Sequence, residues 1–130
     1  MNKVLSVLKK YPISTVFAFI IFVLCIVKPP SSIPKLAFTY TDKIAHFGVY
    51  FVLAILMILE GHRNKGTEKV KILQQKKMFY NYIIVGVLFG IFIEIVQGFF
   101  PYRSFDLNDI VANSIGTICG VLLLGRKYKK

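Results

Sequence analysis

Four apolar runs constrain this chain more than anything else in it: Ile13 to Val27, Ile44 to Leu59, roughly Phe79 to Val96, and Ile110 to Leu124, each bounded by charges or prolines. A chain of 130 residues that is 55% hydrophobic and 18% charged carries more apolar surface than a soluble domain of that size can bury. The pattern therefore predicts an all-α integral membrane bundle of four transmembrane helices, a single domain over residues 1–130. Fifteen residues at about 1.5 Å rise cover only about 22 Å of a hydrocarbon core of about 30 Å, so flanking groups must extend the shorter runs. Tyr11, Tyr40, Tyr80, Tyr82 and Tyr102 stand near the run ends, and Lys28 can snorkel.

Lys3, Lys9 and Lys10 ahead of the first run also suit a signal peptide, but "VKPPSSIP" offers no small-x-small cleavage site, and the run reads as a retained helix. Cys25 and Cys119 lie inside apolar runs and read as small buried hydrophobes, with no disulfide framework or thiolate metal site. Leu24 before Cys25 is too bulky for a lipoprotein signal.

The formal charge of +11 raises the question of nucleic acid, which is excluded because the lysines sit between apolar runs and form no basic face on a soluble scaffold. Charge instead predicts topology. Thirteen of the seventeen basic residues fall on one side of the four spans: Lys3, Lys9 and Lys10, six in the Glu60 to Lys77 connector, and Arg126, Lys127, Lys129 and Lys130. The positive-inside rule then puts both termini and that connector in the cytoplasm. Asp42, Glu94, Asp106 and Asp109 fall at the outer boundary, and only Glu60 and Glu68 fall inside. "KPPSSIPKLAFTYTD" reads as a loop kept from helix by Pro29, Pro30 and Pro34, and His62 as a solvated connector residue without a role.

Helical spacing places polar groups on one face of each later span. Asp42, His46 and Tyr50 lie within about 80°; Gly86, Gly90, Glu94 and Gln97 fall in a similar arc; Asp109, Asn113, Gly116 and Gly120 lie within about 60°. The glycine pairs predict a close seam between the third and fourth spans. Followed outward, that seam leads to an acid, an amide and an imidazole at one depth, near the outer face. Glu94, His46, Asp109 and Asp42 are the candidate catalytic groups; Arg103, Gln97, Asn113, Lys43 and Tyr50 are the candidate substrate-binding groups. Ordinary roles compete: Asp109 as a helix cap, Asp106 and Asn108 as turn formers, Asn113 as interhelical glue, Arg103 as an interfacial anchor, and His46 with Glu94 as a structural pair. A divalent cation would suit the carboxylates and His46, but no recognised metal-ligand spacing supports one, and no metal site is expected.

"DKIAHFGVY" followed by "IEIVQGFFPYRSFDLNDIVANSIGTICG" resembles the VanZ family of small membrane proteins. The resemblance runs from about Asp42 to Leu124, with Ile13–Val27 as an additional N-terminal span, and it rests on Asp42, Lys43, His46, Tyr50, Glu94, Gln97, Pro101, Arg103, Asp109, Asn113, Gly116 and Gly120 in family order and spacing. It implies a multi-pass membrane protein of the cell envelope whose namesake gives resistance to teicoplanin, a glycopeptide that binds peptidoglycan precursor stems. It implies no reaction and no cofactor. No additional domain of the kind fused to some relatives is read here, so the sequence looks close to the minimal unit.

Two functions follow as expectations. One is a pocket at the outer face that binds, and in an enzymatic version modifies, a lipid-linked or peptidoglycan-related head group, with membrane lipids, a lipid-linked cell-wall precursor or a glycopeptide as partners. The other is a non-catalytic bundle whose polar stripes set helix register inside an envelope complex. A proton-coupled transporter is disfavoured, since four short helices make a small pathway unless the protein oligomerises.

Overall fold

The computed structural model describes residues 2–28, 35–65 and 72–128, with side chains from 40 onward in the second of these stretches and from 73 onward in the third. Five helices and no strands occur among these residues: α1 Asn2–Lys10, α2 Pro12–Ile26, α3 Lys35–Lys65, α4 Ile72–Gln97 and α5 Leu107–Lys127. Three stretches, Tyr40–Lys65, Leu73–Gln97 and Leu107–Lys127, are long and apolar enough to cross a membrane, and a fourth arises if the bent α1 and α2 pair is one span. Between 33% and 44% of each of the three apolar windows is buried, which leaves most of their side chains for lipid.

The helix boundaries differ from the sequence reading. α3 begins at Lys35 and not at Asp42, because nothing from Lys35 to Asp42 breaks a helix once the prolines end. The prolines themselves lie outside the described residues. The polar connector shrinks likewise, with α3 continuing to Lys65 and α4 starting at Ile72, so Lys76 and Lys77 are helical. His62 is no solvated loop residue. It is half-buried on α3, its ring stacks on Tyr128 at 3.8 Å between centroids, and its Nδ1 lies 2.9 Å from the Ile58 carbonyl oxygen.

A short helix precedes the first apolar run. Val4, Leu5, Val7 and Leu8 share one side of α1, with Lys3, Ser6, Lys9 and Lys10 on the other, the pattern of a helix lying in a membrane interface. Pro12 lacks an N–H and its ring excludes the carbonyl of residue 8, so the chain cannot continue straight and α2 leaves at 96°. α2 is then held at both ends by other helices. At its start the buried Glu60 carboxylate of α3 accepts from Ile13 N–H at 2.8 Å, Ser14 N–H at 2.8 Å and the Ser14 hydroxyl at 2.5 Å. At its finish the carbonyls of Cys25, Ile26 and Val27 accept from Gln97 at 3.1 Å, the Tyr102 hydroxyl at 2.8 Å and Arg103 at 3.2 Å. These groups occupy the orphan donors and acceptors that a helix leaves at its ends, which lipid cannot satisfy.

α5 packs along α3 more extensively than along α4, and its glycines explain why. A Cβ on Gly116 would stand 2.3 Å from the Phe47 carbonyl oxygen, and one on Gly120 would stand 2.6 Å from that of Phe51. The expected seam between α4 and α5 is therefore only half correct. Gly86 and Gly90 do form it, with Thr117 and Asn113 set into the gaps they leave. Gly116 and Gly120 instead bring α5 against the backbone of α3, about 60° further round the helix. Lys10 and Tyr128 both reach the C-terminal end of α3, at Asn64 and His62, so the end of α1 and the end of α5 lie at one end of the bundle.

Candidate functional site

At the other end of the bundle, α3, α4 and α5 each contribute to a polar cluster sunk among apolar residues. His46, Glu94, Asp109 and Asn113 are buried, Glu94 and Asn113 completely, and Asp42, Lys43 and Arg103 form a half-buried rim. They meet there because α3 and α5 start from this end while α4 finishes at it. The turn after α4 then returns through Gly98, Phe99 and Phe100, closed by hydrogen bonds to the last carbonyls of that helix.

Asp106 caps α5, its side chain accepting from Asn108 N–H. The cap that competed as a role for Asp109 thus belongs to Asp106, and Asp109, one turn further in, faces the cluster. Lys43 ties the two together, its ammonium 2.7 Å from Asp106 and 2.8 Å from Asp109 Oδ1. The hydrogen bond from Lys43 holds the Asp106 carboxyl below the usual carboxylate range. Glu94 Oε2 accepts from Asp106 N–H at 3.3 Å, while Oε1 has no hydrogen-bond partner and lies 3.9 Å from His46 Nδ1.

His46 is the hub. Its Nδ1 stands 2.9 Å from Asn113 Oδ1, and its Nε2 stands 3.8 Å from Asp42 Oδ2 and 4.0 Å from Asp109 Oδ2. Because Asn113 Oδ1 only accepts, Nδ1 carries the proton in this arrangement, and the opposite nitrogen faces the two aspartates. Arg103 Nη1 lies 3.6 Å from Asp42 Oδ1, so this arginine serves both the rim of the cluster and the end of α2.

A cavity of about 150 Å³ opens beside the cluster, between α2 and α3, lined by Asp42, His46, Gln97 and Arg103 together with the apolar Ile21, Leu24 and Val49. A roomier cavity of about 410 Å³ lies toward the other end, against Tyr11, Met57 and Tyr82, and touches none of these groups.

The candidates from sequence divide accordingly. Asp42, Lys43, His46, Glu94, Arg103, Asp109 and Asn113 come together, and Gln97 joins the cavity wall while holding α2. Tyr50 does not join them. One turn beyond His46 it is fully buried, 5.9 Å from Phe89 between ring centroids, and its hydroxyl makes no hydrogen bond. Sequence reasoning missed Glu60 as a buried group. Its signal was there, a carboxylate closing the apolar run "LAILMILE", one helical turn before Arg63.

Apolar helices with lipid-facing sides around a buried polar cluster define a multi-pass helical membrane protein. Sequence comparison narrows that class: residues 4–127 match the VanZ/LLP1 family, and the chain belongs to it. The match takes in α1 and α2 as well as the three longer helices. The chain is also 34% identical over 92 residues to the uncharacterized protein C11E3.10 of Schizosaccharomyces pombe, a match covering 69% of this chain. It spans about half, 50%, of the length of that relative. No solved structure matches the chain.

Proposed function

We propose that this is a cell-envelope protein whose cluster faces the outer leaflet and holds the phosphate-bearing head group of a membrane lipid or lipid-linked precursor. The observation that carries the reading is the cavity between α2 and α3, where acid, imidazole, amide and guanidinium line the same space as apolar side chains. A head group and the start of its acyl chain need both kinds of lining close together. The orientation follows from the basic residues: Lys9, Lys10, Arg63, Lys65, Lys76, Lys77, Arg126 and Lys127 belong to the opposite end of the bundle, which the positive-inside rule assigns to the cytoplasm.

Size narrows the ligand. About 150 Å³ is the space of roughly five waters, room for a phosphate-sized group but well below the 300 Å³ or more of a drug-sized site. A link to teicoplanin would therefore run through the envelope lipid or precursor and not through glycopeptide held in this cavity. In the enzymatic version Glu94 or His46 is the general base, Asp42 or Asp109 orients His46, and Arg103 holds the phosphate.

Native mass spectrometry of the detergent-extracted protein tests this. Wild type should retain a phosphate-bearing lipid that His46→Ala and Arg103→Ala lose at unchanged abundance. Retention of no lipid, or equal retention by both variants, would count against the site. One observation favours a second, structural reading: Gln97, Tyr102 and Arg103 are all engaged with the end of α2. On that reading the variants fail to accumulate in the membrane, and no folded protein is left to assay.

A further inference from the structure

Three carboxylates, Asp42, Glu94 and Asp109, lie within 4.0 Å of His46, and Asp106 shares Lys43 with Asp109, so four acids stand against the two cations Lys43 and Arg103. The acids outnumber the cations in a largely buried space, so the excess needs a proton or a further counter-charge. The cations do not remedy this, because Lys43 is engaged by two aspartates and Arg103 by Asp42 and the Val27 carbonyl.

The atoms of Asp42, His46 and Asp109 divide into an outer and an inner set. The outer atoms have partners: Asp42 Oδ1 with Arg103, Asp109 Oδ1 with Lys43, and His46 Nδ1 with Asn113. The inner atoms, Asp42 Oδ2, Asp109 Oδ2 and His46 Nε2, face one another across 3.8 and 4.0 Å. Ligand atoms from these three residues all lie within 4.8 Å of one another. A point equidistant from three such atoms is about 2.5 Å or less from each, so a contraction of a few tenths of an ångström reaches the 2.0–2.2 Å of a metal bond to nitrogen or carboxylate oxygen. A ligating histidine whose other nitrogen donates to an oxygen, beside ligating carboxylates that are themselves held, is the outer-shell pattern of metal centres. A separate observation points the same way. Glu94 is 0% exposed, and its unpartnered Oε1 is turned toward His46, a buried acceptor that answers positive charge at the imidazole.

We infer that Asp42, His46 and Asp109 bind a divalent cation, with Asn113, Lys43 and Arg103 as the residues that orient them. One imidazole with two carboxylates suits an ion of the Mn²⁺ or Zn²⁺ kind. Three protein ligands would leave a coordination position for a phosphate oxygen. This deepens the head-group reading, since the cation adds positive charge for a phosphate oxygen, but the cation site stands without any lipid.

The test uses the full chain in detergent, freed of metal with a chelator and titrated with Mn²⁺ alone, bound ion being read by electron paramagnetic resonance, and then with Zn²⁺ by calorimetry. One ion should bind per chain, and Mn²⁺ should show hyperfine coupling to a nitrogen. Asn113→Ala should weaken binding by about 10- to 100-fold, and Asp109→Asn or His46→Ala by at least as much. Should His46→Ala fail to fold, Asp42→Asn at the half-buried rim gives the same readout. No binding of either ion at millimolar concentration, or binding that these variants leave unchanged, overturns the inference and leaves an ion-paired imidazolium in its place. Mn²⁺ binding without lipid retention would strike the head-group reading and spare the cation site.

Discussion

Glu60 and Glu94 are both glutamates deep in apolar helices, yet their surroundings give them opposite roles. Glu60 has three donors on its two oxygens and is saturated. Glu94 has one long hydrogen bond and a bare oxygen beside His46. A saturated carboxylate contributes stability, whereas a half-satisfied one next to an imidazole is the kind of group a ligand completes. Glu60→Ala should therefore lower stability by about 1–3 kcal/mol by uncapping α2, with Glu60→Gln losing less because one acceptor oxygen remains. Thermal unfolding followed by circular dichroism in detergent measures both. An alanine variant within about 0.5 kcal/mol of wild type would mean that the cap contributes nothing.

The distribution of small residues governs the helices. In lipid there is no hydrophobic drive to push helices together, so close approach depends on van der Waals contact and on polar groups that find partners across the gap. α5 uses two faces for this, Asn113 and Thr117 toward the glycines of α4, and its own Gly116 and Gly120 toward the carbonyls of α3. Gly116→Ala puts a methyl 2.3 Å from a backbone oxygen that has nowhere to go, and overpacking of that kind costs about 1–3 kcal/mol. Gly48 provides the contrast, since a Cβ there meets nothing within 4 Å. Gly48→Ala should be neutral or gain up to about 1 kcal/mol from helix propensity. The same unfolding measurement checks the pair, and equal effects would mean that the α3–α5 approach is looser than these distances.

At the scale of the whole molecule the two ends of the bundle are chemically different, one fringed with lysine and arginine and the other holding the acidic cluster. A reporter fused after Lys130 should respond as cytoplasmic, and one before Met1 should do the same, because Lys10 and Tyr128 both reach the C-terminal end of α3 and the basic residues gather there. Reporters on opposite sides would break the geometry, and both outside would turn the cluster toward the cytoplasm. Hydropathy and charge in the sequence were enough to determine an all-helical membrane chain, since burying so much apolar surface in water is impossible and exposing backbone in lipid is worse. Helical spacing was enough to put His46, Glu94, Asn113 and Asp109 on inward faces, because period and chain direction are local properties. Spacing could not tell which neighbour each face would meet. Only the packed structure turned Tyr50 into the core, gave the α5 cap to Asp106, set Gly116 and Gly120 on α3, and brought Glu60 to the start of α2 and Asp42, His46 and Asp109 to one point. Those outcomes depend on the rotation of one helix against another, which contacts far apart in the chain decide.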